Sequence, residues 1–305
     1  MELYFLGTGA GMPSKERNVT AVALTLYDER GTMWLFDCGE GTQHQILRSP
    51  LKASRLEFIF ITHLHGDHVY GLPGLLTSRS NQGGTTPLTL FGPPGLEAML
   101  EPVLRFSQAH LSYELSYREV REGLVFEDDR FEVTCAKLDH RIDSYGYRIV
   151  EKDKPGKLDA AKLKEQGIPP GPLFGKIKDG ETVTLPDGTI IDGKAFIGPP
   201  IPGRKIVILG DTRKCEAAVV LSADADVLVH EATFDSSMEA LAETYYHSTA
   251  KEAALTAKRA GAKQLILTHI SSRYQEDEAQ QLLIEAREQF PATWMARDHG
   301  SFPIT

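Results

Sequence analysis

The chain has 305 residues, 41% hydrophobic and 25% charged, with a formal net charge of −9. That is ordinary globular composition, long enough for one large core or two small ones. It excludes a disordered or collagenous chain, and the acidic balance argues against a general nucleic-acid binder while leaving room for local basic patches. No run of about 18 apolar residues is present, so no membrane helix is expected. No signal peptide is expected from MELYFLGTGAGMP, and three widely spaced cysteines (Cys38, Cys135, Cys215) without a CxxC pair point to a reducing compartment, the cytoplasm.

In chain order, short apolar runs rich in Val, Ile, Leu and Phe predict strands over Glu2–Leu6, Val19–Tyr27, Thr32–Asp37, Phe58–Thr62, Leu88–Phe91, Phe131–Leu138 and Tyr145–Glu151. Later strands are predicted over Lys205–Leu209, Val227–His230, Gln264–His269 and Thr293–Arg297. Helical spacing of Leu96, Met99, Leu100, Val103 and Leu104 predicts a helix over Gly95–His110. Thr249–Ala260 opens with Thr249-x-x-Glu252, a capping box, and stops at Gly261; Asp277–Gln289 ends before Pro291. Strands alternating with helices give an α/β class with helix-covered sheets.

Pro155–Gly203 differs, with eight prolines and nine glycines in 49 residues, a density that resists a compact core. Within it Leu158–Gln166 reads as a short helix closed by Gly167, and Thr182–Ile191 as a hairpin turning at Pro186-Asp187-Gly188. The segment is expected to be an arm inserted into the domain; a disordered loop is the alternative.

The strongest chemical signal is Thr62-His63-Leu64-His65-Gly66-Asp67-His68, which puts three imidazoles and a carboxylate in six residues at the end of a predicted strand. Imidazole nitrogen and carboxylate oxygen suit zinc. Alternate residues on extended backbone point the same way, so His63 and His65 can grip one ion, while Asp67 and His68 can face a second. His140, Asp211 and His269 also follow predicted strands. A lone histidine at a strand end is more often hydrogen-bonded structure than ligand; these residues count collectively, because strand ends along one sheet edge converge. Gly7-Thr8-Gly9-Ala10-Gly11 follows a strand but precedes Pro13 and a second strand, which disfavours a dinucleotide loop.

The HxHxDH run followed by His, Asp and His resembles the metallo-β-lactamase superfamily. Phe5-Leu6-Gly7-Thr8-Gly9, Phe36-Asp37-Cys38-Gly39-Glu40-Gly41-Thr42-Gln43, His230-Glu231-Ala232-Thr233 and His247-Ser248-Thr249 narrow the resemblance to the ribonuclease Z family over essentially the whole chain. The resemblance implies a single four-layer αββα sandwich over 1–305 with a protruding arm at 152–203. It implies two zinc ions per subunit, or manganese or another divalent metal. The first would be held by His63, His65 and His140, the second by Asp67, His68 and His269, with Asp211 bridging. Asp67 would orient the attacking hydroxide, and His247, oriented by Glu231, would protonate the leaving 3′ oxygen.

The implied activity is cleavage of precursor tRNA after the discriminator base, leaving a 3′-hydroxyl on the tRNA and a 5′-phosphate on the trailer. The implied partners are precursor tRNA and a second copy of the chain, with no membrane. Pro13-Ser14-Lys15-Glu16-Arg17-Asn18 matches a PxKxRN loop implicated in sensing the tRNA 3′ end, so Lys15, Arg17 and Asn18 are candidate RNA contacts; a solvated turn is the plainer reading. The arm resembles the family's tRNA-binding exosite through Gly171-Pro172-Leu173-Phe174-Gly175, and candidate contacts there are Gly171, Pro172, Lys152, Lys154, Lys157, Lys162, Lys164, Lys176 and Lys178. Against those seven lysines stand only Asp153, Asp159 and Glu165, a local positive excess suited to phosphates. Two other functions compete: hydrolysis of small phosphodiesters or sulfate esters, which leaves the arm unexplained, and a non-catalytic RNA- or metal-binding module, which leaves Glu231 and His247 unexplained. His44, His110 and His299 receive no role.

Overall fold

The computed structural model describes residues 1–168, 171–185 and 188–305. Its described strands include two sheets of seven. The first runs, in spatial order, Ser301–Pro303, Glu2–Gly7, Ala21–Leu26, Thr32–Phe36, Leu56–Phe60, Leu88–Gly92 and Leu115–Glu119. The second runs Thr293–Met295, Leu265–Thr268, Val227–Glu231, Lys205–Ile208, Tyr145–Glu151, Phe131–Lys137 and Gly123–Glu127. Every residue of Ala21–Leu26 is buried, as in a strand covered on both faces.

Between the sheets lies an aromatic core. Phe36 stacks on Phe60 at 5.0 Å, Tyr147 of the second sheet sits 5.3 Å from Phe60, and the Tyr147 hydroxyl donates to the Ile61 carbonyl at 2.6 Å. Outside the first sheet, Leu72, Leu75 and Leu76 of helix Leu72–Asn81 pack with Leu96, Leu100 and Leu104 of helix Leu96–Phe106. Outside the second, Ala250, Ala253, Ala254 and Ala257 of helix Ala250–Ala260 meet Leu228, Leu265 and Leu267. The result is four layers, α, β, β, α. The capping box forms in full: Thr249 accepts from the Glu252 N–H and the Glu252 carboxylate from the Thr249 N–H, and Gly261 ends the helix at φ 66°.

Several expectations shift. The 95–110 helix ends at Phe106, with Gln108 taking φ 51° just beyond. The 264–269 strand stops at Thr268 because His269 turns to φ 56°. Leu72–Asn81 is a helix that the sequence pattern does not predict, since Pro73 and Gly74 read as breakers. Pro73 stands in the first turn, where its missing N–H costs nothing, and a Cβ on Gly74 would meet the Gln43 side chain at 2.3 Å. The strands Leu115–Glu119, Gly123–Glu127 and Ser301–Pro303 escape the pattern because they are half-exposed sheet edges.

The chain divides into two compact units, one of residues 1–127, 132–149 and 205–305, the other of residues 128–131 and 150–204. The second contradicts the expectation that its proline and glycine content prevents a core. Leu163, Ile168, Ile177, Val183, Ile191 and Phe196 bury one another. They lie on or beside Ala160–Glu165, Pro172–Lys178 and the paired strands Thr182–Thr184 and Ile190–Asp192; Pro172 opens a helix that also holds Gly175, while Gly167, Gly180 and Gly188 fall between elements. Pro186 and Asp187 of the expected turn lie outside the described residues; Gly188 has φ 88°.

Where the chain enters and leaves this unit, buried Glu151 accepts from Arg204 Nε at 2.7 Å and pairs with Lys154 Nζ at 2.6 Å. Burial alone would push the Glu151 carboxyl up; the two cations outweigh it and hold it at about 2. A carboxyl lowered on folding adds stability above its unfolded value of about 4.3, and that stability is lost as pH falls toward the folded value. Glu151→Gln is therefore expected to speed amide hydrogen exchange across residues 152–203 at pH 7. The gap from wild type should close as both are taken from about pH 4.5 toward 2; equal exchange rates at pH 7 would deny the ion pair this role.

Candidate metal centre

Three neighbouring parallel strands, Lys205–Ile208, Val227–Glu231 and Leu265–Thr268, end side by side, with Ile208 opposite Val229 and Glu231 opposite Thr268. Their carboxyl ends deliver Asp211, Glu231 and His269, as ligand sites in α/β sheets are built. From the facing sheet Leu56–Phe60 delivers the histidine-rich turn, whose Gly66–Val69 becomes one turn of helix. That turn rests on Asp37-Cys38-Gly39. The Cys38 N–H donates to the His68 carbonyl at 2.7 Å, and a Cβ on Gly39 would stand 2.3 Å from the Asp67 carbonyl oxygen, so only glycine fits.

Two donor clusters result, His63, His65, His140 and Asp211, and Asp67, His68, Asp211 and His269, with the ligand atoms in each within 4.8 Å of one another. Hydrogen bonding assigns the tautomers. Thr62 donates its hydroxyl proton to Asp37 at 2.8 Å, so at 2.9 Å it accepts from His63 Nδ1–H. His68 Nδ1–H donates to Asp37 at 2.7 Å, and His140 Nδ1–H to the Tyr246 carbonyl at 2.8 Å. Thr233 donates to Glu231 at 2.6 Å and accepts from His269 Nδ1–H at 2.9 Å. Each of these four imidazoles thus presents an Nε2 lone pair inward.

The inward nitrogens crowd. His63 Nε2 and His140 Nε2 stand 3.1 and 3.2 Å from His65 Nδ1, and His68 Nε2 stands 3.4 Å from His269 Nε2. Facing lone pairs repel unless a cation lies between them. Tetrahedral ligands at a metal–nitrogen distance of ~2.0–2.1 Å would be about 3.3 Å apart, close to these separations. The charges agree. Burial and the neighbouring His68 hold His63 well below the usual imidazole range, and burial and neighbouring imidazoles lower His65. Burial opposes charge on His68, but Asp211, Asp37 and Asp67 lift it well above its usual value, so these carboxylates call for positive charge at this point. Burial would raise Asp211; His269, His68 and His63 hold it well below its usual value instead. The donor set suits divalent cations.

Beside the clusters, buried Glu231 accepts from the Thr212 N–H at 2.9 Å, the Thr233 hydroxyl and His247 Nδ1 at 2.9 Å. Burial works against a charge on His247, but Glu231, and then Asp211, lift it to about 9, which keeps it protonated at neutral pH. His65, Asp67, Asp211, His247 and His269 share a cavity of about 290 Å³ with Gly11, Phe234, Tyr245 and Arg273. The Gly11 N–H donates to Asp67 at 2.7 Å.

All residues expected at the metals, with Glu231 and His247, therefore meet in one place. The candidate RNA contacts divide. Lys15 is exposed and lines a separate cavity of about 570 Å³ together with His44, Arg48 and His299. Arg17 and Asn18 also line it but are engaged with the protein. The Arg17 guanidinium donates to Thr8 and to the Ala296 carbonyl, and Asn18 bonds Asp298 and the Glu40 carbonyl. His110 is exposed. In the second unit Lys157, Lys164, Lys176 and Lys178 are exposed, Lys152 is half-buried, Lys154 pairs with Glu151, and Lys162 donates to the Ala195 carbonyl. Gly171 and Pro172 begin a helix. Sequence reasoning missed Asp37, Thr62 and Thr233 as orienting groups. All three lie inside recognisable motifs, but no pattern reveals which imidazole each faces.

Residues 1–153 match a family described as Anti-Pycsar protein Apyc1, and residues 188–270 match the Beta-lactamase superfamily domain. The chain is 59% identical over 304 residues to a ribonuclease Z of Geobacillus kaustophilus (strain HTA426), covering 100% of this chain and 99% of that protein. It is likewise 59% identical over 304 residues to a ribonuclease Z of Anoxybacillus flavithermus (strain DSM 21510 / WK1), covering 100% and 97%. Among solved structures it resembles human tRNase Z, short form, with TM-score 0.72 and 32% identity over 100% of both chains.

Asp37 holds Thr62 and His68 at once, so Asp37→Ala frees two imidazoles to rotate. Divalent-metal affinity, read by competition with a chromogenic chelator, is expected to fall about 10- to 100-fold; unchanged affinity would remove Asp37 from the site's support.

Proposed function

Because the chain belongs to the ribonuclease Z family and is an endoribonuclease that processes tRNA 3′ ends, we propose that it cuts precursor tRNA directly after the discriminator base using two zinc ions. His63, His65 and His140 would hold one ion, Asp67, His68 and His269 the other, and Asp211 both. The observation that carries this reading is the set of inward imidazole lone pairs 3.1–3.4 Å apart, with Asp211 Oδ2 3.6 Å from His63 Nε2 and 3.2 Å from His269 Nε2. When bound, such ions lower the pKa of water and offset charge on the reacting phosphate. The same donors accept manganese and other divalent ions, and the metal content of the purified protein decides among them.

Asp67, fixed on one oxygen by the Gly11 N–H, orients the attacking water and takes its proton. Water oxygen bonds to phosphorus, the bond from phosphorus to the ribose 3′ oxygen breaks, and His247 gives its proton to that leaving oxygen. Glu231 acts through His247 by holding Nδ1. The products carry a 3′-hydroxyl on the tRNA and a 5′-phosphate on the trailer. Lys15 is a candidate contact to the 3′ end, with Arg17 and Asn18 shaping its loop. The lysines of residues 152–178, with Gly171 and Pro172, form an inserted exosite for RNA phosphates, positioning RNA without reading its sequence. In this reading the enzyme works as a homodimer in the cytoplasm.

Hydrolysis of small phosphodiesters is the second reading. It leaves the lysine-bearing segment of residues 152–178 without purpose. Cleavage of a precursor tRNA carrying a 3′ trailer, mapped at nucleotide resolution, separates the two. Wild type is expected to give one cut after the discriminator, and Asp67→Ala to give none detectable. Turnover by Asp67→Ala at full metal content would overturn the role of Asp67. Replacing Lys157, Lys164, Lys176 and Lys178 with glutamine is expected to weaken tRNA binding. It should also flatten the slope of log affinity against log salt by about 0.7–0.9 for each phosphate no longer neutralised. An unchanged salt slope would remove the exosite.

A further inference from the structure

Tyr246 sits in the left-handed region at φ 61°, ending helix Glu239–Tyr245. This turn is held firmly. The Tyr246 carbonyl takes the His140 Nδ1–H, and the Tyr246 ring lies 4.5 Å from the Arg213 guanidinium, which pairs with Asp139 at 2.8 Å and Glu243 at 2.5 Å. On either side of the turn Tyr245 and His247 line the same cavity. Nothing in the fold accounts for Tyr245. Its side chain is 47% exposed, it belongs to no buried cluster, and among the described residues its hydroxyl has no hydrogen-bond partner. What it has is the Arg141 guanidinium 5.9 Å from its ring centroid, within cation–π range.

We propose that Tyr245, flanked by Arg141, is a stacking platform for the discriminator base, the base on the 5′ side of the scissile phosphate. This rests on the reading of His247 as the acid for the leaving 3′ oxygen. That oxygen belongs to the discriminator ribose, and Tyr245 is two residues from His247, so their Cα atoms are at most about 7 Å apart. The base carried by that ribose therefore falls beside Tyr245, while the trailer leaves with its phosphate. Phe234 also lines the cavity but is buried, so Tyr245 gives it a large exposed π face among imidazoles, carboxylates and Arg273. Every base has such a face, so a ring here binds any discriminator without selecting among them.

The test is a cycle between protein and substrate. Full-length enzyme of measured metal content is assayed for single-turnover kcat/KM on precursor tRNA with a normal or an abasic discriminator nucleotide. Wild type is expected to lose about 5- to 150-fold on the abasic substrate, the measured range for stacking one base on an aromatic side chain. Tyr245→Ala should lose a similar factor on the normal substrate and little more on the abasic one, while Tyr245→Phe keeps the sensitivity to base removal. Should Tyr245→Ala fail to fold, Tyr245→Leu closes the same cycle. Losses that multiply independently, or coupling of Tyr245 to an abasic first trailer nucleotide instead, would overturn the assignment. Wild type that does not cut after the discriminator at all would sink the underlying reading, a different result.

Discussion

Imidazole lone pairs aimed at one another are the constraint on which the rest of this molecule depends. Four rings are turned inward by acceptors on their Nδ1 side, and His65 completes the cluster. None of these acceptors is an isolated surface group. Asp37 serves the His63 relay and His68 together, and Thr233 passes the Glu231 carboxylate on to His269. Such an arrangement is electrostatically unfavourable without positive charge at its centre, and Asp211, Asp37 and Asp67 call for that charge by lifting buried His68 above its usual value. Stability of the sandwich therefore has to hold the site together.

The sandwich can do so because the ligands leave from strand ends and not from long loops. The aromatic core between the sheets, with Tyr147 bonded to the Ile61 carbonyl, fixes the chain just before His63. Parallel pairing fixes Asp211, Glu231 and His269 against one another. A small second pairing, Gly9–Ala10 with Ile270–Ser271, ties the N-terminal glycine loop to the residue after His269, and the same loop sends the Gly11 N–H to Asp67. Glutamate and histidine then sit as a unit next to the donor clusters: four hydrogen bonds converge on Glu231, so it stays charged while buried and keeps His247 protonated. Charged groups converge at the clusters, and Tyr245 leaves an exposed aromatic face in the same cavity.

Reading the chain alone reaches far at the centre and less far at the edges. Residues 62–68 carry so many ligand types in so short a span that divalent-metal binding is legible there, and apolar runs locate the strands that carry His140, Asp211 and His269. Helix Leu72–Asn81 is hidden by Pro73 and Gly74, whose local meaning is interruption and whose actual positions tolerate a helix. Residues 152–203 read as rich in breakers that resist a core, yet six apolar side chains close one, with Pro172 at a helix start and Gly167, Gly180 and Gly188 between elements. Arg17 and Asn18 read as candidate RNA contacts, and the folded chain also engages their side chains with the Ala296 and Glu40 carbonyls, which no sequence pattern shows.

Sequence by itself determined the ligand types, the α/β alternation and the family, because each is a matter of residue identity at short spacing. Tertiary structure alone decided which nitrogen of each histidine faces the centre, that Asp37, Thr62 and Thr233 enforce it, and that Tyr245 stands exposed beside His247. Those facts depend on side chains up to 201 positions apart, such as His68 and His269, meeting within hydrogen-bond distance. A one-dimensional pattern records periodicity and spacing, whereas a tautomer is set by whichever acceptor the folded chain brings to the other side of the ring.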